Sequence, residues 1–230
     1  MPIGLVAFDL DGTLVDSVPD IAFAVDQTLK ELGLPPLGHE QVRGLVGDGV
    51  TRLLKRALTG ERNGNPDAKQ LERAMALFRR AYSEHLCVDS RLYPGALDLL
   101  NALQGRCRLA CITNKSSVFT DPLLAALGVD RYFDLTVSGD TLPALKPDPR
   151  PLSYAAERFR LAPRDCCMVG DSRNDVLAAK AAGFRALALS YGYRQGEDLM
   201  ALKPEAQFDS LPELLPWLEG AGLAAPAASG

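Results

Sequence analysis

The sequence predicts an α/β fold: a parallel sheet flanked by helices, with an all-helical unit inserted after the first strand. Three observations carry this. Short apolar runs of strand type recur along the chain, and a segment of helical spacing follows nearly every one. Between Ser17 and about Val88 the periodicity is helical throughout and no strand is evident. Strands alternating with helices imply parallel pairing with right-handed crossovers.

The first strand is Ile3-Gly4-Leu5-Val6-Ala7-Phe8, an almost unbroken apolar run of the kind buried on both faces. Pro19 to Leu32 follows with Ile21, Ala22, Val25, Leu29 and Leu32 at helical spacing, and Gly33 as a stop. Glu40 to Val46 reads as a short helix broken by Gly47-Asp48-Gly49, and Val50 to Leu58 as its successor. A Gly/Asn/Pro-rich loop leads to a long helix from Ala68 to His85, with Leu71, Met75, Phe78 and Tyr82 on one face. A helix from Pro94 to about Leu103 precedes a second strand, Arg108 to Ile112. Further helices end at Leu127, Phe159 and Ala182, and strands are expected at Phe133–Val137, Cys166–Val169 and Ala186–Leu189. Trp217, with Leu214, Leu215 and Leu218, reads as the apolar face of a C-terminal helix. His39 and His85 have no partner at helical spacing and read as ordinary residues of the surface or of the helical unit. The division expected is residues 1–16 and 88–220 for the sheet-bearing core, 17–87 for the helical unit, and 221–230 as a disordered Ala/Gly/Pro/Ser tail.

Composition narrows the function. The hydrophobic fraction of 47% and charged fraction of 23% are those of a water-soluble globular chain. A formal net charge of -4 argues against nucleic acid as a partner. No run approaches the roughly 18 apolar residues of a membrane span, and the start of the chain does not read as a secretory signal. The five cysteines show no C-x-x-C spacing, so neither a zinc site nor a disulfide framework is suggested, and a reducing, cytoplasmic setting is expected.

The chemistry begins where the first strand ends. Asp9-Leu10-Asp11-Gly12-Thr13-Leu14-Val15-Asp16-Ser17 sets two carboxylates at a strand exit, where an unpaired buried charge is costly. An Asp-Gly turn accounts for Asp11, but not for Asp9. Two later strands end alike, in Thr113-Asn114 and in Gly170-Asp171. In an open α/β sheet such ends share one edge, which is where ligands bind. Hydroxyl and backbone N–H groups at Thr113-Asn114 suit a phosphate. Asp9, Asp171 and a carbonyl near Asp11 make an all-oxygen set that suits Mg²⁺. Gly47-Asp48-Gly49 can present backbone N–H groups to a small carboxylate, and Arg43, one helical turn earlier, can add a charge.

In this order, Asp-x-Asp-Gly-Thr, Thr-Asn, Lys-Pro at Lys146 and Gly-Asp-x-x-x-Asp ending at Asp175 resemble the four motifs of the haloacid dehalogenase superfamily. The resemblance spans residue 3 to about residue 215. Within that superfamily, Asp16-Ser17-Val18-Pro19-Asp20, Val46-Gly47-Asp48-Gly49, Gly139-Asp140-Thr141-Leu142-Pro143 and Tyr191-Gly192-Tyr193 are most similar to the bacterial phosphoglycolate phosphatases. The resemblance implies a Rossmann-like core with a helical cap and Mg²⁺-dependent hydrolysis of a small phosphorylated metabolite through an aspartyl phosphate. The substrate implied is 2-phosphoglycolate. Asp9 would be the nucleophile, Asp11 the acid and base, and Lys146 the cation on the phosphoryl group. Gly12, Thr13, Thr113, Asn114, Arg43, Gly47, Asp48 and Gly49 would contact substrate. Asp9, Asp171 and the Asp11 carbonyl would hold the metal, with Asp175 outside them on its waters. A monomer or homodimer is expected. The rival readings are a phosphatase of another sugar phosphate or nucleoside monophosphate, and a non-catalytic phosphate-binding regulator.

Overall fold

The computed structural model describes residues 2–193 and 196–225. Strand β1 (Leu5–Phe8) is wholly buried, as its unbroken apolar run requires. The chain then forms β2 (Val15–Asp16), followed by the helices α1 (Val18–Glu31), α2 (His39–Arg43), α3 (Val50–Thr59) and α4 (Ala68–Glu84). It returns through β3 (Arg91–Leu92) and continues as α5 (Ala96–Leu103), β4 (Arg108–Ile112), α6 (Ser117–Ala126), β5 (Leu135–Val137) and α7 (Arg150–Phe159). The last elements are β6 (Cys166–Gly170), α8 (Arg173–Ala182), β7 (Arg185–Leu189), β8 (Ala206–Phe208) and α9 (Leu214–Gly220).

Six strands form one sheet in the order β5-β4-β1-β6-β7-β8, with every neighbouring pair parallel. Side chains alternate along β1. Val6 and Phe8 face a core shared with α5 and α9, whereas Leu5 and Ala7 face one shared with α7 and α8. Phe8 pairs with Cys111 on one side and Val169 on the other. That register brings Asp9, Thr113 and Asp171 to one edge of the sheet, within a residue of the same level.

Helices α1 to α4 bury a separate apolar cluster that includes Val25, Leu54, Phe78 and Tyr82. The chain leaves for these helices and comes back from them through a two-stranded ribbon, with Val15 opposite Leu92 and Asp16 opposite Arg91. This ribbon is too short to show a strand pattern in sequence. A second fastening lies beside it. Asp20, in the first turn of α1, accepts hydrogen bonds from the backbone N–H groups of Asp89 and Ser90 and from Ser90 Oγ. His85 Nδ1 lies 2.9 Å from the same carboxylate, and its ring stacks on Phe23. His85 thus belongs to the helical unit, as allowed for, but has in Asp20 a partner that its sequence spacing did not show, whereas His39 is exposed beside Glu40.

Other expectations need correction. The helix expected over Glu40 to Val46 ends at Arg43, because Gly44 caps it. Strand β8 was not expected; Ala206-Gln207-Phe208 carries one large apolar side chain and is recruited by pairing with β7. The tail expected to be disordered from residue 221 begins with ordered chain. Leu223 is buried and bridges to Ile3, and Arg106 donates to the Ala224 carbonyl at 2.6 Å. Residues 226–230 lie outside the described residues. Among the described residues no helix is long and apolar enough to cross a membrane.

Candidate active site

The exit of β1 is shaped by Gly12. Its φ of +86° suits glycine, and a Cβ there would run into the Asp171 carboxylate and the Tyr193 ring. The tight turn lets Thr13 Oγ1 donate to Asp171 Oδ1 at 2.7 Å. Tyr193 donates its backbone N–H to the other Asp171 oxygen. Thus Thr13 orients Asp171, and Gly12 leaves room for it.

Three carboxylates converge here. One oxygen from each of Asp9, Asp171 and Asp175 lies within 4.8 Å of the other two. Lys146 Nζ is 2.9 Å from Asp9 and 2.7 Å from Asp175, and it also donates to the Ile112 carbonyl at 2.5 Å. Asp175 is not simply an outer group. It is the third residue of α8 and accepts from Ser172 N–H and Ser172 Oγ at 3.0 and 2.6 Å, closing a capping box, while Lys146 holds its other oxygen.

Burial and like charges set the electrostatics of this cluster. Burial, only partly offset by Lys146, pushes Asp9 up to about 7. Burial and the charges of Asp9 and Asp175 push Asp171 up to about 8. Burial favours a neutral Lys146, but Asp175 and Asp9 outweigh it and raise its pKa. A single ammonium among three carboxylates leaves excess negative charge that a divalent cation would neutralise. The donor set is all oxygen, as a hard cation prefers. The cluster is accordingly a candidate metal centre, and the residues present fit the group.

Asp11 points elsewhere. Its carboxylate accepts from Ser17 Oγ at 2.5 Å and meets Lys115 Nζ at 3.1 and 3.2 Å. Ser17 is the residue preceding α1, and its hydroxyl serves Asp11 rather than capping its own helix. Lys115 also donates to Tyr82 Oη, on α4, at 2.7 Å. Burial opposes the ammonium, but Asp11 and Tyr82 hold its pKa above the ordinary lysine value. Burial pushes the Tyr82 phenol up to about 12.

The helical insert closes over this edge. Asn114 Nδ2 donates to the Gly47 carbonyl at 3.1 Å and to the Lys146 carbonyl at 2.9 Å, and its Oδ1 accepts from Lys146 N–H. Asn174 Nδ2 donates to Asp48 Oδ1 at 2.8 Å and reaches the Gly47 carbonyl at 3.3 Å. Asp48 is also paired with Arg56. Burial would raise its pKa, yet hydrogen bonds from Asn174 and Arg56 hold it below the usual carboxylate range. Beneath the closed loop lies a cavity of about 60 Å³, lined by Asp9, Asp11, Thr113, Asn114, Lys115 and Tyr82, with apolar side chains from the helices opposite.

The expected contact residues thus divide. Asp9, Asp11, Thr113, Asn114, Gly47 and Gly49 line the cavity, while Gly12 and Thr13 sit behind it against Asp171. Asp48 is a fastening rather than a contact. Arg43 is a correction: its guanidinium donates to the Tyr191 carbonyl at 3.2 Å and lies 5.3 Å from the centre of the Tyr193 ring. It faces a different cleft, with Glu40, Gly192 and Glu197. Sequence reasoning missed Lys115 and Tyr82. The signal for Lys115 was its place directly after Thr113-Asn114; nothing local pointed to Tyr82.

Comparison with known proteins identifies the family and the fold. The family model for haloacid dehalogenase-like hydrolases matches residues 3–183. A Nitrosospira multiformis protein named phosphoglycolate phosphatase is 50% identical over 93% of this chain and 94% of its own length. One from Nitrosococcus oceani with the same name is 45% identical, covering 91% of this chain and 94% of its own. A crystal structure from Haemophilus somnus, described as a predicted phosphoglycolate phosphatase, superposes with a TM-score of 0.87 at 34% identity, covering 94% of this chain and 97% of that one.

Proposed function

The chain belongs to the haloacid dehalogenase-like hydrolase family, and from that premise we propose that it hydrolyses 2-phosphoglycolate to glycolate and inorganic phosphate, with Mg²⁺ held by Asp9, Asp171 and the Asp11 carbonyl. The observation that carries the reading is the cluster of Asp9, Asp171, Asp175 and Lys146 under a small closed cavity. Bound there, Mg²⁺ supplies the positive charge that lets an anionic phosphate approach an anionic carboxylate.

The residues then divide the work. Asp9 attacks phosphorus, forming an aspartyl phosphate as the bond to the leaving oxygen breaks. Lys146 faces Asp9 and neutralises charge on the transferring group. Asp11 gives a proton to the leaving alkoxide and takes one from the water that next attacks phosphorus, which frees Asp9 and releases phosphate. Thr113 and the N–H groups near it bind the phosphoryl oxygens. Asp175 orients Lys146, and Thr13 orients Asp171.

Helices α1 to α4 act as the cap, taken as residues 17–87 on a core of 1–16 and 88–220. Substrate entry requires the hydrogen bonds from Asn114 and Asn174 to Gly47 and Asp48 to part, and closure restores them and excludes water. Five unpaired cysteines support the cytoplasm as its compartment.

The test is phosphate release from a panel of phosphomonoesters, with Mg²⁺ and with EDTA. Selective, EDTA-sensitive turnover of 2-phosphoglycolate is expected. Metal-dependent preference for an uncharged sugar phosphate would overturn the substrate, and no turnover at all would overturn the enzyme.

A further inference from the structure

We infer that Lys115 is the specificity-determining residue of this site, receiving the carboxylate of the leaving group. The inference rests on the reading of the substrate just given and deepens it.

A two-carbon acid leaving group buries a negative charge, which must meet a positive one. Arg43, the cation suggested by sequence, is turned to the Tyr191 carbonyl and the Tyr193 ring. Among the described residues lining the cavity, Lys115 is the only lysine or arginine. Its side chain is 6% exposed, so it is a fixture of the cavity and not a mobile surface charge. The wall opposite, with Ile21, Val50, Leu53 and Phe119, offers an anion nothing.

Position strengthens this. To protonate the leaving group, Asp11 must reach the ester oxygen. In 2-phosphoglycolate the carboxylate is separated from that oxygen by one CH₂ group. A cation at 3.1 Å from the Asp11 carboxylate therefore stands beside the place the carboxylate must occupy. An ammonium has three N–H donors. The three acceptor atoms around Lys115 are both oxygens of the single Asp11 carboxylate and Tyr82 Oη, so an arriving carboxylate would take over one of the two Asp11 contacts rather than fill a spare donor. Because Tyr82 belongs to α4, closure of the helical insert fixes the ammonium where the carboxylate arrives. The competing view is that Lys115 only neutralises Asp11. On that view its loss slows every ester alike.

The experiment compares 2-phosphoglycolate with its neutral amide, 2-phosphoglycolamide, in the Mg²⁺-loaded wild type, Lys115→Met and Lys115→Arg. Wild type is expected to prefer the acid. In Lys115→Met the ratio of kcat/KM between acid and amide should fall on the order of 100-fold, because the site loses the partner of a buried charge. Lys115→Arg should restore part of that ratio. Tyr82→Phe, which removes only a hydroxyl, should lower the ratio less and serves if Lys115→Met does not fold. An equal loss for both esters in Lys115→Met, or an unchanged ratio, overturns the inference and leaves the substrate reading intact. A wild type that favours a different carboxylate-bearing ester overturns glycolate as the leaving group, while a ratio that still depends on Lys115 supports the inference. Indifference of the wild type to acid and amide overturns both.

Discussion

Two acidic residues two positions apart lie in opposite electrostatic settings. Asp9 faces the sheet edge, where it converges with Asp171 and Asp175, Lys146 meets Asp9 and Asp175 but not Asp171, and Asp9 and Asp171 are pushed up to about 7 and 8. Asp11 faces the helical insert, where its carboxylate is matched by Lys115 and a serine hydroxyl. The first setting is made by core elements alone and carries more carboxylates than cations. The second is balanced one to one and is complete only when α4 and the start of α1 are in place. Only the buried Leu10 separates them along the chain. On the roles proposed for Asp9 and Asp11, the difference would let one strand end hold a nucleophile and an acid side by side without the two sharing an environment.

The contrast can be broken at several points. The largest effect is expected from Asp171→Asn. It should lower turnover at least about 100-fold and abolish stabilisation by Mg²⁺. In the parent, Mg²⁺ at a hundred times its Kd should add about 2.7 kcal/mol, read as a rise in Tm that EDTA reverses. Equal Mg²⁺ stabilisation of parent and variant would place the cation elsewhere.

The Asp20 fastening tests the junction through stability. Burial would raise the Asp20 pKa, but hydrogen bonds from Ser90, Asp89 and His85 outweigh it and hold the carboxyl below its ordinary 3.8. An acid depressed in the folded state stabilises above its unfolded pKa. That stability is lost as pH falls below 3.8 toward the folded value. Asp20→Asn should cost about 2 kcal/mol at neutral pH in urea unfolding and flatten this acid limb. An unchanged acid limb would show that the fastening contributes nothing.

Asn174→Ala removes the hydrogen bond to Asp48 and weakens closure. It should cost about 1 kcal/mol of closed-state stability, seen as a several-fold rise in KM with the Mg²⁺ response retained. Arg43→Ala should be mildest, within about threefold of wild type in kcat/KM, since Arg43 does not reach the cavity. A loss of a hundredfold there would restore the role first expected of it.

How much of this was legible follows from particular residues. β1, β4, β6 and β7 announce themselves as apolar runs, and their parallel register brings Asp9, Thr113 and Asp171 to one edge. Lys146 was legible only through its resemblance to a family motif, being a lone lysine in a Pro-rich turn. The insert-facing half was harder to read. Lys115 meets Asp11 across 104 positions and Tyr82 across 33, and no local pattern encodes either. Arg43 misled because one helical turn sets distance along a helix but not the side from which a cavity is entered. The ribbon of β2 and β3, with two residues in each strand, is specified by pairing alone.

The central claim is that Asp9 carries the phosphoryl group. Its direct test is acid quenching during turnover of 2-phosphoglycolate bearing a radiolabelled phosphate, followed by peptide mapping. The account predicts label on the peptide that contains Asp9, released by hydroxylamine as an acyl phosphate would be. It also predicts no label, and a loss of at least about 10⁴ in kcat, in Asp9→Asn. Turnover by Asp9→Asn at the wild-type rate, or label mapped to another residue, would contradict it.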